Sequence, residues 1–217
     1  MKEFKYKLFG RFKGRKKIDL FSDTSLKDYK LNIKADINKK EYNILDIGSG
    51  SGENTVHLSK HKKKSKIIAC EVFTDGNINL CNKIIKNKID NINIFEGNVL
   101  ELLDNINLSA VFDEIWILFP DPWPKNRHHK RRLINKPFLF KIHSFLKKNG
   151  NLMIATDSAS YMYHIVKSIY GAQKKYHWMN QRFDEWNYYN LPLPQTKFYK
   201  KALKSNRKSI FFEFNKI

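Results

Sequence analysis

The sequence predicts an α/β fold: a mostly parallel central sheet with helices on both faces and an antiparallel C-terminal strand. Three observations predict it. Strand-like and helix-like runs alternate from residue 43 to residue 170, and βαβ alternation builds parallel sheets because each crossover returns the chain to the same end of the sheet. A glycine-rich turn, Gly48-Ser49-Gly50-Ser51-Gly52, follows the first strand-like run, where the backbone needs conformations that only glycine adopts freely. Asp46, Glu71, Asn98, Asp121 and Asp157 stand at or just past the ends of successive strand-like runs, the rim at which open α/β sheets bind ligands.

The chain has 217 residues, 41% of them hydrophobic, which is enough for one domain with its own core. A single domain over 1–217 is expected, with residues 1–40 forming a basic, mobile N-terminal arm. The net charge of +20 and pI near 9.8 favour a polyanionic partner. Only seven of the 41 cations are arginine, and the chain is also rich in Ile and Asn, so part of this charge is compositional and clustered arginines carry more information than the total. Cys70 and Cys81 form no CxxC pair and read as buried free thiols of a reducing compartment. No apolar run approaches a membrane span and the N-terminus lacks a secretory pattern, so a soluble, cytoplasmic protein is expected, as monomer or homodimer.

In order along the chain, the arm centres on Phe9-Gly10-Arg11-Phe12-Lys13-Gly14-Arg15-Lys16-Lys17. Its interleaved aromatics and cations suit base stacking and phosphate neutralisation by Arg11 and Arg15, and equally a solvated arm. Ile44, Leu45 and Ile47 make 43–47 a buried strand, and a helix opens at about 53. Strands follow at 67–71, 92–95, 114–118 and 151–156, with helices through 76–88, near 99–104, around 134–147 and near 159–170. The tail after 171 is aromatic-rich, and Ile210-Phe211-Phe212-Glu213-Phe214 reads as an antiparallel core strand. Leu191-Pro192-Leu193-Pro194 is a stiff link before Thr196.

The glycine turn is not a dinucleotide fingerprint, because Glu53 stands where that motif needs its third glycine. Two acids are placed differently: Asp46 just before the turn and Glu71 at the end of the next strand. A carboxylate at Glu71 can accept both hydroxyls of a ribose, and one near the turn can face an ammonium group. S-adenosylmethionine carries both groups and no phosphate, and the loop resembles the cofactor loop of class I methyltransferases, whose fold is Rossmann-like. Asn98 has two readings, contact with the adenine amino group of the cofactor and N-cap of the helix beginning at Val99.

The second informative stretch is Phe119-Pro120-Asp121-Pro122-Trp123-Pro124. Three prolines in five residues make a stiff loop that presents Asp121 and Trp123 with little freedom. A rigid carboxylate beside an indole suits a purine, accepting its N–H groups and offering a stacking face. Lys125 to Arg132 then supplies five cations and two histidines in eight residues, a run able to grip phosphates through Arg127, Lys130, Arg131 and Arg132. Adjacent His128 and His129 have no further ligand at helical spacing, so no metal site is expected.

The glycine loop, Glu71, the Phe119–Trp123 loop with its basic tail, Ala155-Thr156-Asp157 and Pro194-Gln195-Thr196-Lys197-Phe198 together resemble the tRNA (guanine-N7-)-methyltransferase family, bacterial single-chain type, in order over nearly the whole chain. The resemblance implies methyl transfer from S-adenosylmethionine to N7 of a guanosine in the tRNA variable loop. It implies that Asp46, Gly48, Gly50, Glu71, Asn98 and Asp121 line the cofactor, that Asp121 is catalytic, and that Lys125, Asp157, Thr196, Lys197, Phe198 and Tyr199 hold the guanosine. Asp46 stands where the family commonly has Glu, and Asn98 where it commonly has Asp. Tyr199 stands where the family motif usually reads Thr-x-x-Glu, so Glu213 or another acid compensates or the guanosine contact is weaker. Asp157 has a second reading as the cap of the helix opening at Ser158. Two other functions compete: methylation of an exocyclic base amino group, and a non-catalytic tRNA-binding module on the same fold.

Overall fold

A computed structural model describes residues 6, 27–187 and 196–217, apart from the side chain of Phe183. Arg11, Arg15 and the 191–195 link lie outside the described residues. The sheet has seven strands and is mostly parallel, and the chain divides into two compact units after Leu108.

The first unit holds α1 (Ile33–Asp36), β1 (Tyr42–Ile47), α2 (Glu53–His61), β2 (Ser65–Glu71), α3 (Thr74–Asn87), β3 (Ile92–Glu96) and α4 (Val99–Asn105). Its strands run parallel in the order β3-β2-β1, with Ile47 opposite Cys70 and Glu71 opposite Glu96. Ile44, Leu45, Ile67 and Ile68 are at most 1% exposed. Strands this uniformly apolar are covered on both faces, and each such side chain contributes about 1.5–3 kcal/mol by leaving water. Cys70 and Cys81 are buried and free.

Residues 29–37, which fall within the expected 1–40 arm, pack on the first unit. Ile94 N donates to Tyr29 O and Leu31 N to Ile94 O, so Tyr29–Leu31 lies along the edge of β3, and Leu31 and Ile37 are buried. Two apolar side chains and an open strand edge hold this segment, a pattern that the surrounding lysines hide in the sequence.

The second unit holds β4 (Phe112–Leu118), a 3₁₀ turn (Asn126–Arg131), α5 (Lys136–Phe145), β5 (Leu146–Thr156), α6 (Ala159–Tyr170), β6 (Tyr176–Trp178), a second 3₁₀ turn (Phe183–Asn187), α7 (Lys197–Lys204) and β7 (Ile210–Lys216). Its strand order is β4-β5-β7-β6. β5 is parallel to β4, whereas β7 is antiparallel to both β5 and β6. Phe211, Phe212 and Phe214 are at most 2% exposed, so the C-terminal aromatic run is a core strand as expected.

One boundary differs from expectation. The helix expected to 147 stops at Phe145, and β5 begins at Leu146, which pairs with Phe112. Lys147 is drawn to Asp113 (Nζ–Oδ2 2.7 Å), and Asn149 makes a left-handed kink (φ 60°) inside a continuous strand. Apolar Phe145-Leu146 imitates a helical face, and only the cross-strand partners reveal otherwise.

Candidate active site

In the first unit, the turn after β1 has Gly48, Gly50 and Gly52 all at positive φ (72°, 56° and 77°). They are not equivalent. A Cβ at Gly52 would come within 2.4 Å of Leu80, whereas a Cβ at Gly48 or Gly50 would meet nothing within 4 Å. Gly52 therefore lets α3 pack close, and the other two leave open space beside the backbone. From α3, Gly76 seats against the same loop, where a Cβ would approach Gly50 O to 2.4 Å.

Glu71 ties this loop to the end of β2. Its Oε2 accepts from Gly50 N (2.8 Å), and its Oε1 accepts from Val72 N (2.7 Å) and Phe73 N (2.9 Å). A carboxylate has about four lone-pair sites, so Oε2 keeps capacity for a hydroxyl donor. Gly97 N donates to Glu71 O (3.1 Å), which brings the Asn98 turn beside it. Asn98 is the cap of α4, accepting from Leu100 N at 2.9 Å. Its Oδ1 keeps a second lone pair that can accept from the adenine amino group, and its amide N–H donors suit a ring nitrogen.

Asp46 departs from expectation. It is 2% exposed and turned inward: Oδ2 accepts from Thr55 Oγ1 (2.6 Å) and Oδ1 from Asn54 Nδ2 (3.1 Å). Burial pushes its pKa up to about 6, against the lowering effect of the Thr55 and Asn54 hydrogen bonds. Asp46 thus clamps the first turn of α2 to β1 and does not face an ammonium group. With its open-sided glycines and the spare acceptor of Glu71, the loop fits an adenosine-bearing cofactor.

In the second unit, Phe119 and Trp123 flank Asp121 at φ 52° and 43°. Side-chain-bearing residues in the left-handed region store strain that surrounding contacts must hold. Phe119 N donates to Ala155 O (2.8 Å) and its ring meets the edge of Phe211 at 6.2 Å. The other brace is Arg132, expected to grip phosphate but only 3% exposed. Its Nε donates to Pro122 O (2.9 Å), its Nη1 to Ser160 O (3.1 Å) and its Nη2 to Ser160 Oγ (2.9 Å), while the guanidinium lies over the Tyr161 ring at 5.0 Å. All five N–H groups cannot point outward when three serve the protein itself. Arg132 is a brace for the proline loop.

Asp121 has no hydrogen-bond partner among the described residues, and partial desolvation raises its pKa. Trp123 is not an open platform: Arg131 lies over its ring at 4.9 Å and His128 meets it edge-on at 5.9 Å. Desolvation, then Arg131, Arg127, Lys125 and Lys130, hold the His128 pKa below its ordinary value. Lys125, Arg127 and Lys130 are exposed, so the outward-facing cations of this run are fewer than its sequence count.

Asp157 does not cap α6, whose N-cap is Ser158. Its Oδ2 instead accepts from Arg207 Nε at 2.8 Å, an arginine not singled out in the sequence because its partner is 50 residues away. Thr196 is buried and caps α7, accepting from Tyr199 N at 3.1 Å. Tyr199 is thus the third helical residue, where a glutamate would complete a capping box, and its ring instead faces Phe211 at 6.2 Å. Lys197 and Phe198 are exposed. Glu213 is no substitute at the rim: it pairs with Met153, three residues into β7 from Ile210, or about 10 Å along the strand. Pro122 and Asp157 line one groove. Among the described residues no cluster of His, Cys, Asp and Glu could hold a metal ion, and no helix is long and apolar enough to cross a membrane.

Comparison with known proteins decides the family. The methyltransferase family Methyltransf_4 matches residues 40–212. A tRNA (guanine-N(7)-)-methyltransferase of Wolbachia pipientis wMel is 32% identical over 216 residues, covering 97% of this chain and 94% of that one. The chain belongs to the tRNA (guanine-N7-)-methyltransferase family. An enzyme of the same name from Arthrobacter sp. (strain FB24) is 36% identical over 138 residues, 64% of this chain and 43% of its own length, so the chain spans under half of that relative. An rRNA methylase from Streptococcus thermophilus superposes with TM-score 0.55 at 16% identity, covering 91% of this chain and 95% of that chain. That likeness shows the class I methyltransferase fold.

Proposed function

We propose that the chain is a cytoplasmic enzyme transferring the methyl group of S-adenosylmethionine to N7 of a guanosine in the variable loop of tRNA. Membership of the family supports the reaction, and one structural observation carries the mechanism: Asp121 is an unpartnered carboxylate on a strained loop held from behind by Arg132. When bound, S-adenosylmethionine supplies an electrophilic methyl on a sulfonium. In the first unit, Glu71 holds the ribose through its spare acceptor site, Asn98 contacts the adenine, and Gly48 and Gly50 allow close backbone approach. Asp46 acts at one remove, by fixing the loop.

Guanine N7 carries a lone pair and no proton, so the nucleophile needs no general base. What the protein must supply is placement and an electrostatic partner for a purine that becomes cationic. Asp121 accepts from the guanine N–H groups and stabilises that charge, and its fixed position costs no reorganisation as the charge develops. Asp157 keeps its Oδ1 for a second guanosine contact, and the exposed cations Lys125, Arg127 and Lys130 meet phosphates. Thr196, Lys197, Phe198 and Tyr199 form the remaining edge of the substrate region, with Thr196 presenting it as a helix cap.

The test is incubation of the purified chain with methyl-labelled S-adenosylmethionine and unmodified tRNA, followed by nucleoside analysis. Label in 7-methylguanosine is the expected result. Label in a methylated adenosine would overturn the N7 reading, and tRNA binding without any label would overturn the enzymatic one.

A further inference from the structure

The second unit contains a groove of about 590 Å³ whose lining includes Pro122, Asp157, Met162, Arg207, Lys208 and Ile210. Met162 and Ile210 belong to its apolar lining, and Asp157, Arg207 and Lys208 to its charged lining. Arg207 is fixed from two directions. Arg207 N donates to Ala202 O (2.9 Å) as α7 ends, with Asn206 at φ 50° making the tight turn. Its Nε donates to Asp157 Oδ2 at 2.8 Å. The side chain is 42% exposed and that of Asp157 is 23% exposed. A pair so open to water adds little stability; what it does is orient the guanidinium.

That orientation has a chemical consequence. With Nε committed to Asp157, the edge formed by the two terminal amino groups has no partner among the described residues. This edge is a planar fork of parallel N–H groups, matched to two oxygens of a phosphate. Lys208 follows Arg207 in the same lining. A guanine is the wrong ligand for the fork. Arginine grips guanine through O6 and N7, and in this reaction that contact would cover the lone pair that must attack.

We propose that Arg207, oriented by Asp157 and accompanied by Lys208, is a phosphate-binding subsite that grips the RNA backbone next to the target nucleoside. The proposal rests on the reading of tRNA as substrate. It also gives this chain a substrate contact that does not depend on a carboxylate at position 199.

The experiment is tRNA binding by the full chain across roughly 50–200 mM salt, since each phosphate contact contributes about 0.7–0.9 to the slope of log K against log salt. Arg207→Ala and Arg207→Gln are expected to weaken binding and reduce that slope by about one contact's worth, while Arg207→Lys keeps most of it. S-adenosylmethionine binding without RNA should be unchanged in all three, and Arg207→Gln, which still donates to Asp157, covers the case in which the alanine variant folds poorly. An unaltered slope with a reduced turnover would overturn the subsite and leave Arg207 as a brace for Asp157. The two readings separate: 7-methylguanosine formed with an unaltered slope removes the subsite alone, and a reduced slope with label elsewhere than N7 removes the N7 assignment alone.

Discussion

The cofactor loop of the first unit and the proline loop of the second solve the same problem, holding a carboxylate in place, by opposite means. In the first, acids and donors are neighbours: Asp46 is held by Asn54 and Thr55, eight and nine residues on, and Glu71 by Gly50, Val72 and Phe73. The carboxylates themselves receive the hydrogen bonds, so Asp46 is spent on structure and Glu71 keeps only its spare acceptor site. In the second, Asp121 receives none among the described residues, and its backbone is fixed instead, by prolines, by two left-handed residues and by Arg132 reaching from outside the loop. The lesson is that a group kept for chemistry is best immobilised through its backbone, which leaves its lone pairs for the substrate.

The largest expected effect tests that contrast directly. Asp121→Asn keeps shape and loop but removes the charge that answers a cationic purine. Turnover should fall by about 10²–10³, the scale seen when a preorganised electrostatic group is lost, with S-adenosylmethionine and tRNA affinities within about twofold. Steady-state kinetics with both binding constants decide it. Full turnover in the variant would mean that Asp121 is as structural as Asp46.

The same contrast explains what could be read from the sequence. The parallel sheet, the glycine turn and the C-terminal antiparallel strand were legible because each leaves a local trace: an apolar run, a run of alternate glycines, a run of phenylalanines. The inward turn of Asp46 left no trace, since an acid before a glycine loop reads alike whichever way it points. The roles of Arg132 and Arg207 leave no local trace, for one reason. Their partners Ser160 and Asp157 lie 28 and 50 residues away, so a buried brace looked like a phosphate contact and an exposed arginine looked like nothing. Trp123 was legible as an aromatic in a stiff loop, but not as one already covered by Arg131.

A smaller effect distinguishes the first unit's spent carboxylate. Asp46 has its pKa raised to about 6 from 3.8 by burial. At pH below about 4 the group is protonated folded and unfolded alike, and its contribution is fully present; between about 4 and 6 the unfolded chain ionises first and that contribution is lost. Two units correspond to about 2–3 kcal/mol. Asp46→Asn can still accept from Asn54 and, with the Thr55 hydroxyl rotated, donate to it. Urea unfolding at acid and neutral pH should therefore show the variant gaining stability relative to the parent as pH rises from about 4 to 7. Parallel profiles would mean that Asp46 titrates alike in the folded and unfolded chain, so that its carboxylate is not shut away from water as the structure has it.

The smallest expected effect is also the sharpest on the second unit, because it sets two arginines against each other. Arg132→Gln removes hydrogen bonds to Pro122 O, Ser160 O and Ser160 Oγ and the contact over Tyr161. Two of the orphaned acceptors are carbonyls that water can reach once the guanidinium is gone, so the cost in denaturant unfolding should be about 1–2 kcal/mol. Turnover should fall less than in Asp121→Asn, because the carboxylate remains but its backbone is loosened. The slope of tRNA affinity against salt should not change, since a cation buried behind the loop neutralises no phosphate. That invariance separates Arg132 from Arg207, whose loss is expected to alter the slope. If Arg132→Gln lowers the slope by a full contact, the guanidinium leaves its brace to meet RNA, and Asp121 must then be held in the complex by the RNA itself.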